Sequence, residues 1–358
     1  MRGGWGTRLR QFRKWKPLLR LRYALEYAAL LLIACTIPRL PRGLVLWFAR
    51  GVGAVAMKID RRGRELGLEN LQIAIQQGGL DLRGRTPEAV LRACYQNFAR
   101  GFLDLFWFSR LTAEQLDRWM EIEDSEHVRL MFRNDRGAVF LTPHYGVFEW
   151  ASLMVGLRGM KLYIVAQDFK NSALTEIVWR ARERTGHQVL SRDGAMLKLL
   201  RSVKRGGNIA LLPDLTVPPQ TVAAVVNVFG TPTCRTAAHV EIARRCNALM
   251  FVVVCEPLDD GRARLRVLDV ISATEQGAGR PSQAALTQAV WDRFEAAIRQ
   301  RPELWLWMYR HWRYRPLSER SAEASDGDDQ GPSIPIHRYP RYAAEVAAFD
   351  ELYRKQAA

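Results

Sequence analysis

No cysteine pair in this chain has the CxxC spacing of a zinc knuckle. The five cysteines, Cys35, Cys94, Cys234, Cys246 and Cys255, are odd in number and scattered. That argues against a disulfide framework and for a reducing, cytoplasmic setting. Long apolar runs are missing too. A helical span needs about 20 apolar residues, whereas Tyr23–Ile37 and Leu44–Met57 are shorter and interrupted by Glu26 and Arg50. The overlong basic start and the lack of a convincing small-x-small site argue against a cleaved signal peptide. Acids are scarce beside bases, 37 against 53, for a formal net charge of +16. No internal repeat is visible, so the 358 residues make one large domain or two modest ones with a sizeable core.

The basic excess favours an anionic partner, and 11 tryptophans with 14 phenylalanines point to a lipid interface. The first 22 residues hold eight bases and no acid, with Trp5, Phe12 and Trp15 among them. Pro38 and Pro41 then separate the two apolar segments. Residues 1–58 therefore read as helices lying in the cytoplasmic leaflet, held by lysines and arginines on anionic membrane lipid. The rivals are a single tilted span over Leu21–Leu40 and an ordinary buried helical hairpin. A nucleic-acid binder would use the same charge, but no recognised module supports it.

Arg61–Ile75 has an apolar face at helical spacing, and Thr86-Pro87-Glu88 carries the cap and N1 proline of a helix running to about Ser109. A short capped helix follows from Thr112 to about Met120. From Glu121 strands and helices alternate. The predicted strands are Ala138–Leu141, Leu162–Ala166, Gln188–Leu190, Asn208–Leu212, Val222–Val228, Leu249–Cys255 and Arg264–Val270. The helices lie near Val147–Val155, Ser172–Thr185, Ala195–Lys204, Thr236–Cys246 and Gln283–Arg299. This predicts an α/β fold over residues 59–316, with a mixed, largely parallel sheet flanked by helices. Leu304–Pro316, rich in Trp, Tyr and Arg, reads either as an interfacial surface or as an aromatic strand on a sheet edge. Residues 317–358 form an acidic linker (Ser318–Pro335) and a loosely docked tail with no assigned chemistry.

Chemistry concentrates at AVFLTPHYGVFEW, Ala138–Trp150. A buried strand ends at Thr142-Pro143, His144 follows in the loop, and Glu149 opens a helix. That is the crevice where open α/β sheets carry ligands. A histidine can take a proton near neutral pH, and a carboxylate can hold its other N–H. His–x4–Glu is a short pattern, and a lone pair of this kind is more often a plain hydrogen bond. On one continuous helix the two side chains would diverge by about 140°, so the pair requires His144 in a loop. Three further stretches join it. Arg192 ends a strand and could clamp a phosphate, though most such arginines are surface residues. Asp214 follows a strand and a proline, where an Asx turn is the ordinary reading. Arg235 lies between a Gly–Pro turn and a helix start that would suit an anion. Two ligands without a third make a metal site improbable.

In this order the motifs resemble the bacterial lipid A late acyltransferases (lauroyl/myristoyl type) of the lysophospholipid acyltransferase superfamily. The similarity runs from the Tyr23 region to about Pro316, through RELGLENLQIA, PHYGVFEW, RARERTGHQVLSR, GGNIALLPDL, VNVFGTPTCRTAAHVEIARRCNA and PELWLWMYRHWRYRP. The resemblance implies an O-acyltransferase at the bacterial inner membrane, on its cytoplasmic side. His144 would be the general base and Glu149 its orienting acid, with Arg192, Asp214 and Arg235 lining the acceptor site. The hydroxyl of a lipid A precursor would attack an acyl thioester from acyl carrier protein or acyl-CoA, with no metal or other cofactor. PDLTVPP in place of a glutamine-bearing acidic run, and no glycine within Pro218–Val226, bear on the acceptor rather than the reaction. The alternatives are a different glycolipid or lysophospholipid acceptor, or a silent lipid-binding homologue.

Overall fold

The computed structural model describes residues 5–192, 194–274, 281–314 and 343–357. Four helices come first: α1 (Trp5–Thr36), α2 (Arg42–Ile59), α3 (Arg61–Gln76) and α4 (Pro87–Trp107). Then follow α5 (Ala113–Trp119), β1 (Met120–Ile122), α6 (Glu126–Arg133), β2 (Ala138–Leu141), α7 (Phe148–Leu157) and β3 (Leu162–Ala166). Next are α8 (Ser172–Glu183), β4 (Gln188–Ser191), α9 (Ala195–Lys204), β5 (Asn208–Leu211), β6 (Ala223–Val228) and β7 (Thr231–Thr236). The chain closes with α10 (Ala238–Cys246), β8 (Leu249–Pro257), β9 (Ala263–Ser272), α11 (Gln283–Gln300) and α12 (Ala343–Ala357). The linker expected over Ser318–Pro335 lies outside the described residues.

Seven strands form one sheet in the order β1-β9-β8-β2-β5-β3-β4. The pairs from β8 through β2, β5 and β3 to β4 are all parallel, while β9 is antiparallel to β8. Both faces are covered, so β2 reads as a continuous apolar run with every residue buried. Val139 and Leu141 enter one core with α9, α10 and α11; Ala138 and Phe140 enter the other with α5, α7 and α8. Helix α4 contributes its first half to the former core and its second half to the latter, so it crosses the sheet beside the carboxyl ends of the parallel strands. Its start is as the sequence predicts: Thr86 accepts from Ala89 N–H and Pro87 occupies N1.

The mixed, largely parallel α/β sheet is the expected one. Three short elements were not expected. β1 and α6 are too brief to show a period. β7 contains Pro232, which speaks against a strand by pattern, yet it pairs antiparallel with β6 around a turn at Phe229–Gly230, both at positive φ.

Helix α2 packs one side, Val45, Ala49 and Gly53, toward α4. A Cβ at Gly53 would lie 2.4 Å from Gln96 Cα, so only glycine lets the two backbones touch there. Its other side exposes Leu44, Trp47, Phe48, Val52, Val55 and Ile59, a face at the i, i+3, i+4 spacing of one helical stripe. Leu18, Leu21, Leu25 and Leu32 of α1 are exposed in the same way. A buried hairpin is therefore not what these segments form. Nor is the span over 21–40 seen: among the described residues no helix is long and apolar enough to cross a membrane.

The tail is more firmly placed than a loose helix. Val346 and Phe349 of α12 are buried with Cys234 and Tyr314, and the Gln356 side chain accepts from Val225 N–H on β6.

Candidate active site

His144 leaves the carboxyl end of β2 and Asp214 the carboxyl end of β5, its neighbour in the sheet. That adjacency brings together two residues 70 positions apart. The Asp214 carboxylate accepts from the His144 ring at Nδ1 (2.7 Å) and from the His144 backbone N–H (2.9 Å). The indole N–H of Trp305 gives it a third donor at 3.1 Å. Asp214 has no exposed surface. Burial alone would push its carboxyl up; the charge of the His144 ring and its two hydrogen bonds outweigh that and hold it at about 2. A charged carboxylate only accepts, so Nδ1 carries the hydrogen, and in the neutral ring it is Nε2 that holds the lone pair. The His144 side chain is 22 % exposed, which leaves Nε2 as the ring atom available to a substrate.

The loop that presents this ring is pinned on every side. His144 C=O accepts from Leu306 N–H, Gly146 N–H donates to Leu304 C=O, and Val147 N–H donates to Cys255 C=O. The Asn97 amide of α4 donates to Gly146 C=O at 3.0 Å. Gly146 has φ +61°, and a Cβ there would sit 2.1 Å from Cys255 O, so no other residue fits without moving β8.

Glu149 does not hold the histidine, which corrects the expected pairing. Its carboxylate faces Arg182 of α8, whose Nε lies 3.1 Å from both oxygens and whose Nη2 lies 2.5 Å from one. The partner's charge raises the pKa of Arg182 against the lowering effect of burial. The physical reason is direction. Glu149 lies in the first turn of α7 and points to α8, while the His144 ring, held in the loop, turns to β5. Arg182 carries no motif, and only the packing of α8 on α7 reveals it.

Arg235 is also corrected. It sits inside β7 with no exposed surface, not at an anion-binding helix start. Its Nη1 donates to Asp214 C=O at 2.5 Å and its guanidinium lies 4.6 Å from the Trp291 ring. Burial, despite nearby Asp214, lowers it to about 10. It braces the Asp214 turn. Arg192 is exposed just past β4, three strand positions from β2, or about 14 Å at the usual strand spacing. It shares the carboxyl edge with His144 but does not touch it.

The Trp- and Tyr-rich stretch after Pro302 is neither a surface nor an edge strand. Trp305, Trp307 and Tyr314 are buried, and the His311 ring stacks on Trp305 at 3.9 Å. His311 Nε2–H donates to Leu306 C=O at 2.7 Å; burial, then the charge of Arg235, push the ring down to about 3. This stretch supplies the floor of the site. Among the described residues no three His, Cys, Asp or Glu side chains are grouped to hold a metal ion.

Residues 12–314 match the family of bacterial lipid A biosynthesis acyltransferases. A phosphatidylinositol mannoside acyltransferase of Mycolicibacterium smegmatis is 27 % identical over 290 residues, covering 79 % of this chain and 91 % of the relative. The Escherichia coli lipid A biosynthesis palmitoleoyltransferase is 19 % identical, covering 79 % of this chain and 89 % of the relative. The lipid A biosynthesis lauroyltransferase of the same organism is 20 % identical, covering 78 % and 88 %. With the matched stretch taking in His144, Asp214 and Trp305 alike, the chain belongs to the bacterial lipid A biosynthesis acyltransferase family and is an acyltransferase.

Proposed function

We propose that this enzyme moves a fatty acyl chain from an acyl thioester, carried by acyl carrier protein or CoA, to a hydroxyl of a lipid A precursor or a related glycolipid. The observation that carries the mechanism is the His144 ring held through Nδ1 on buried, charged Asp214. Nε2 takes the proton of the acceptor hydroxyl as its oxygen attacks the thioester carbonyl. Asp214 fixes the tautomer and stabilises the imidazolium that results. The tetrahedral intermediate collapses to the ester and a thiolate, which regains the proton from His144. Backbone N–H groups in the first turn of α7, where Glu149 lies, stabilise the oxyanion. Glu149 acts by locking that helix to α8 through Arg182. No covalent enzyme intermediate and no metal is used.

A phosphatidylinositol mannoside type of acceptor is the second reading, supported by the higher identity to the M. smegmatis relative. Arg192, on the carboxyl edge, would meet an acceptor phosphate. The exposed apolar faces of α1 and α2, with Trp47 68 % and Ile59 75 % exposed, support attachment in the plane of the inner membrane's cytoplasmic leaflet. The net charge of +16 suits anionic lipid and an acidic carrier protein.

Purified protein in detergent, given labelled acyl–carrier protein or acyl-CoA and a panel of lipid A precursors, mannosides and lysophospholipids, tests the reading. Transfer to one acceptor, abolished in His144→Ala and Asp214→Asn, supports it. Transfer that survives His144→Ala defeats the mechanism. A folded protein that binds acyl lipid without turnover is a silent binder.

A further inference from the structure

We infer that a crevice between α2, α3 and α4 is a binding site for the phosphate headgroup of an anionic membrane glycerophospholipid, separate from the catalytic loop; this rests on the membrane-attached reading above. The crevice has a volume of about 360 Å³. Lys58 of α2, Arg64 of α3 and Arg92 of α4 converge on it, against one carboxylate, Glu88. Ala54, Met57 and Ala89 give it an apolar floor.

Three cations against one acid leave the lining of the hollow net positive. Lys58, Arg64 and Arg92 have no ion-pair partner within 4 Å among the described residues. Like charges gathered around one hollow repel one another and raise the local potential, which an anion relieves.

The hollow is also built rather than incidental. Gly53, next to Ala54 of the crevice, presses α2 onto α4 at Gln96. Asp60 then caps α3 through Gly63 N–H and accepts from the Tyr95 hydroxyl of α4 at 2.9 Å. Three helix segments are thereby fixed around the cations.

Placement selects a lipid over a free phosphate. Lys58 stands on α2 beside Val55 and Ile59, within the exposed apolar face that includes Trp47 and Phe48. A phosphate diester seated among the three cations would lay its acyl chains along that face. Arg92 precedes Asn97, which holds the catalytic loop, by about 7.5 Å along the same helix. An occupied crevice would thus fix the height of the active site above the membrane.

The test compares a crevice variant, Lys58→Gln/Arg64→Gln/Arg92→Gln, with a control losing equal charge from the exposed face and C-cap of α9, Lys198→Gln/Arg201→Gln/Arg205→Gln. Both are full-length and checked for folding by thermal denaturation; removal of mutually repelling charges should leave the crevice variant at least as stable. Co-sedimentation with vesicles of phosphatidylcholine containing phosphatidylglycerol should weaken by at least about 30-fold in the crevice variant and under about threefold in the control. By calorimetry, short-chain soluble phosphatidylglycerol should saturate one site on the wild type and none on the crevice variant, while inorganic phosphate binds far more weakly. Acyl transfer in neutral detergent should be unchanged. Equal losses in the two variants would leave only general charge attraction and overturn the site. Inorganic phosphate binding as tightly as the short-chain lipid would overturn the lipid as occupant. A raised KM for the acceptor in neutral detergent would make the crevice an acceptor subsite instead. Wild type that binds no vesicle yet binds the short-chain lipid would sink the membrane reading alone.

Discussion

Two carboxylates stand near His144, and the fold treats them in opposite ways. Asp214 is wholly buried between the ends of β2 and β5, surrounded by three N–H donors and braced from behind by Arg235. Glu149 lies between two helices, keeps some exposure, and is taken up by an arginine. The first arrangement leaves a histidine nitrogen poised for a proton. The second leaves nothing poised, because the arginine stays protonated under any physiological condition. Distance along the chain is thus a poor guide to which acid holds a histidine: five residues away Glu149 pairs with an arginine, 70 residues away Asp214 holds the ring.

The comparison breaks or sharpens by substitution. The largest loss is expected for His144→Ala, about 100- to 10,000-fold in kcat, with the far-UV circular dichroism unchanged. Asp214→Asn should fall in the same range, at up to about 10,000-fold; the amide keeps the volume but can present a hydrogen to Nδ1 and so favour the wrong tautomer. Trp305→Phe removes one donor to a charged acceptor, an interaction of about 1.5–3 kcal/mol, and should lower kcat about tenfold while KM holds. Glu149→Gln should change kcat under about threefold yet lower Tm by several degrees, since Arg182 loses its counter-charge. If Glu149→Gln instead matched Asp214→Asn in kcat at unchanged Tm, the division between the two carboxylates would fall.

Stability against pH gives a separate readout. His239 and His311 are buried with pKa values pushed down, chiefly by burial, to about 4 and about 3. Unfolded histidines take protons below about 6.5 while these folded ones do not, so stability is full above that value. It falls as pH drops toward 4, by up to about 1.4 kcal/mol per pH unit for each. Asp214 works lower: its stabilisation is present above about 3.9 and is lost only as pH falls toward about 2. Among the described residues neither buried ring nitrogen of His239 has a partner, so His239→Leu should flatten the slope between pH 6.5 and 4 in denaturant titrations without lowering stability at pH 7.5.

Much of the fold was legible because its signals are local. The Thr86-Pro87 cap, the apolar runs of β2 and β8 and the period of α9 each announce themselves within a few residues. The loop position of His144 was legible too, since strand end, proline and glycine put it there. Its partner was not. Asp214 as the ring's acceptor depends on β5 lying beside β2, which only the finished sheet decides. Arg235 looked available because its neighbours, Gly230 and Pro232, suggest a turn; Trp291, far along the chain, is what covers it. The tryptophans around Trp305 carry the composition of an interfacial patch, and burial at the base of a site leaves no trace in composition.

Trp305 has a further meaning in the order of synthesis. The exposed faces of α1 and α2 leave the ribosome first, then the histidine, then its aspartate, and the indole that completes the carboxylate's set of donors comes near the end of the family-matched stretch. The nascent chain therefore holds the exposed apolar faces of α1 and α2 long before the Asp214 carboxylate has its full set of donors. Position along the chain becomes a schedule, in which two apolar helix faces exist before the histidine–aspartate pair is complete.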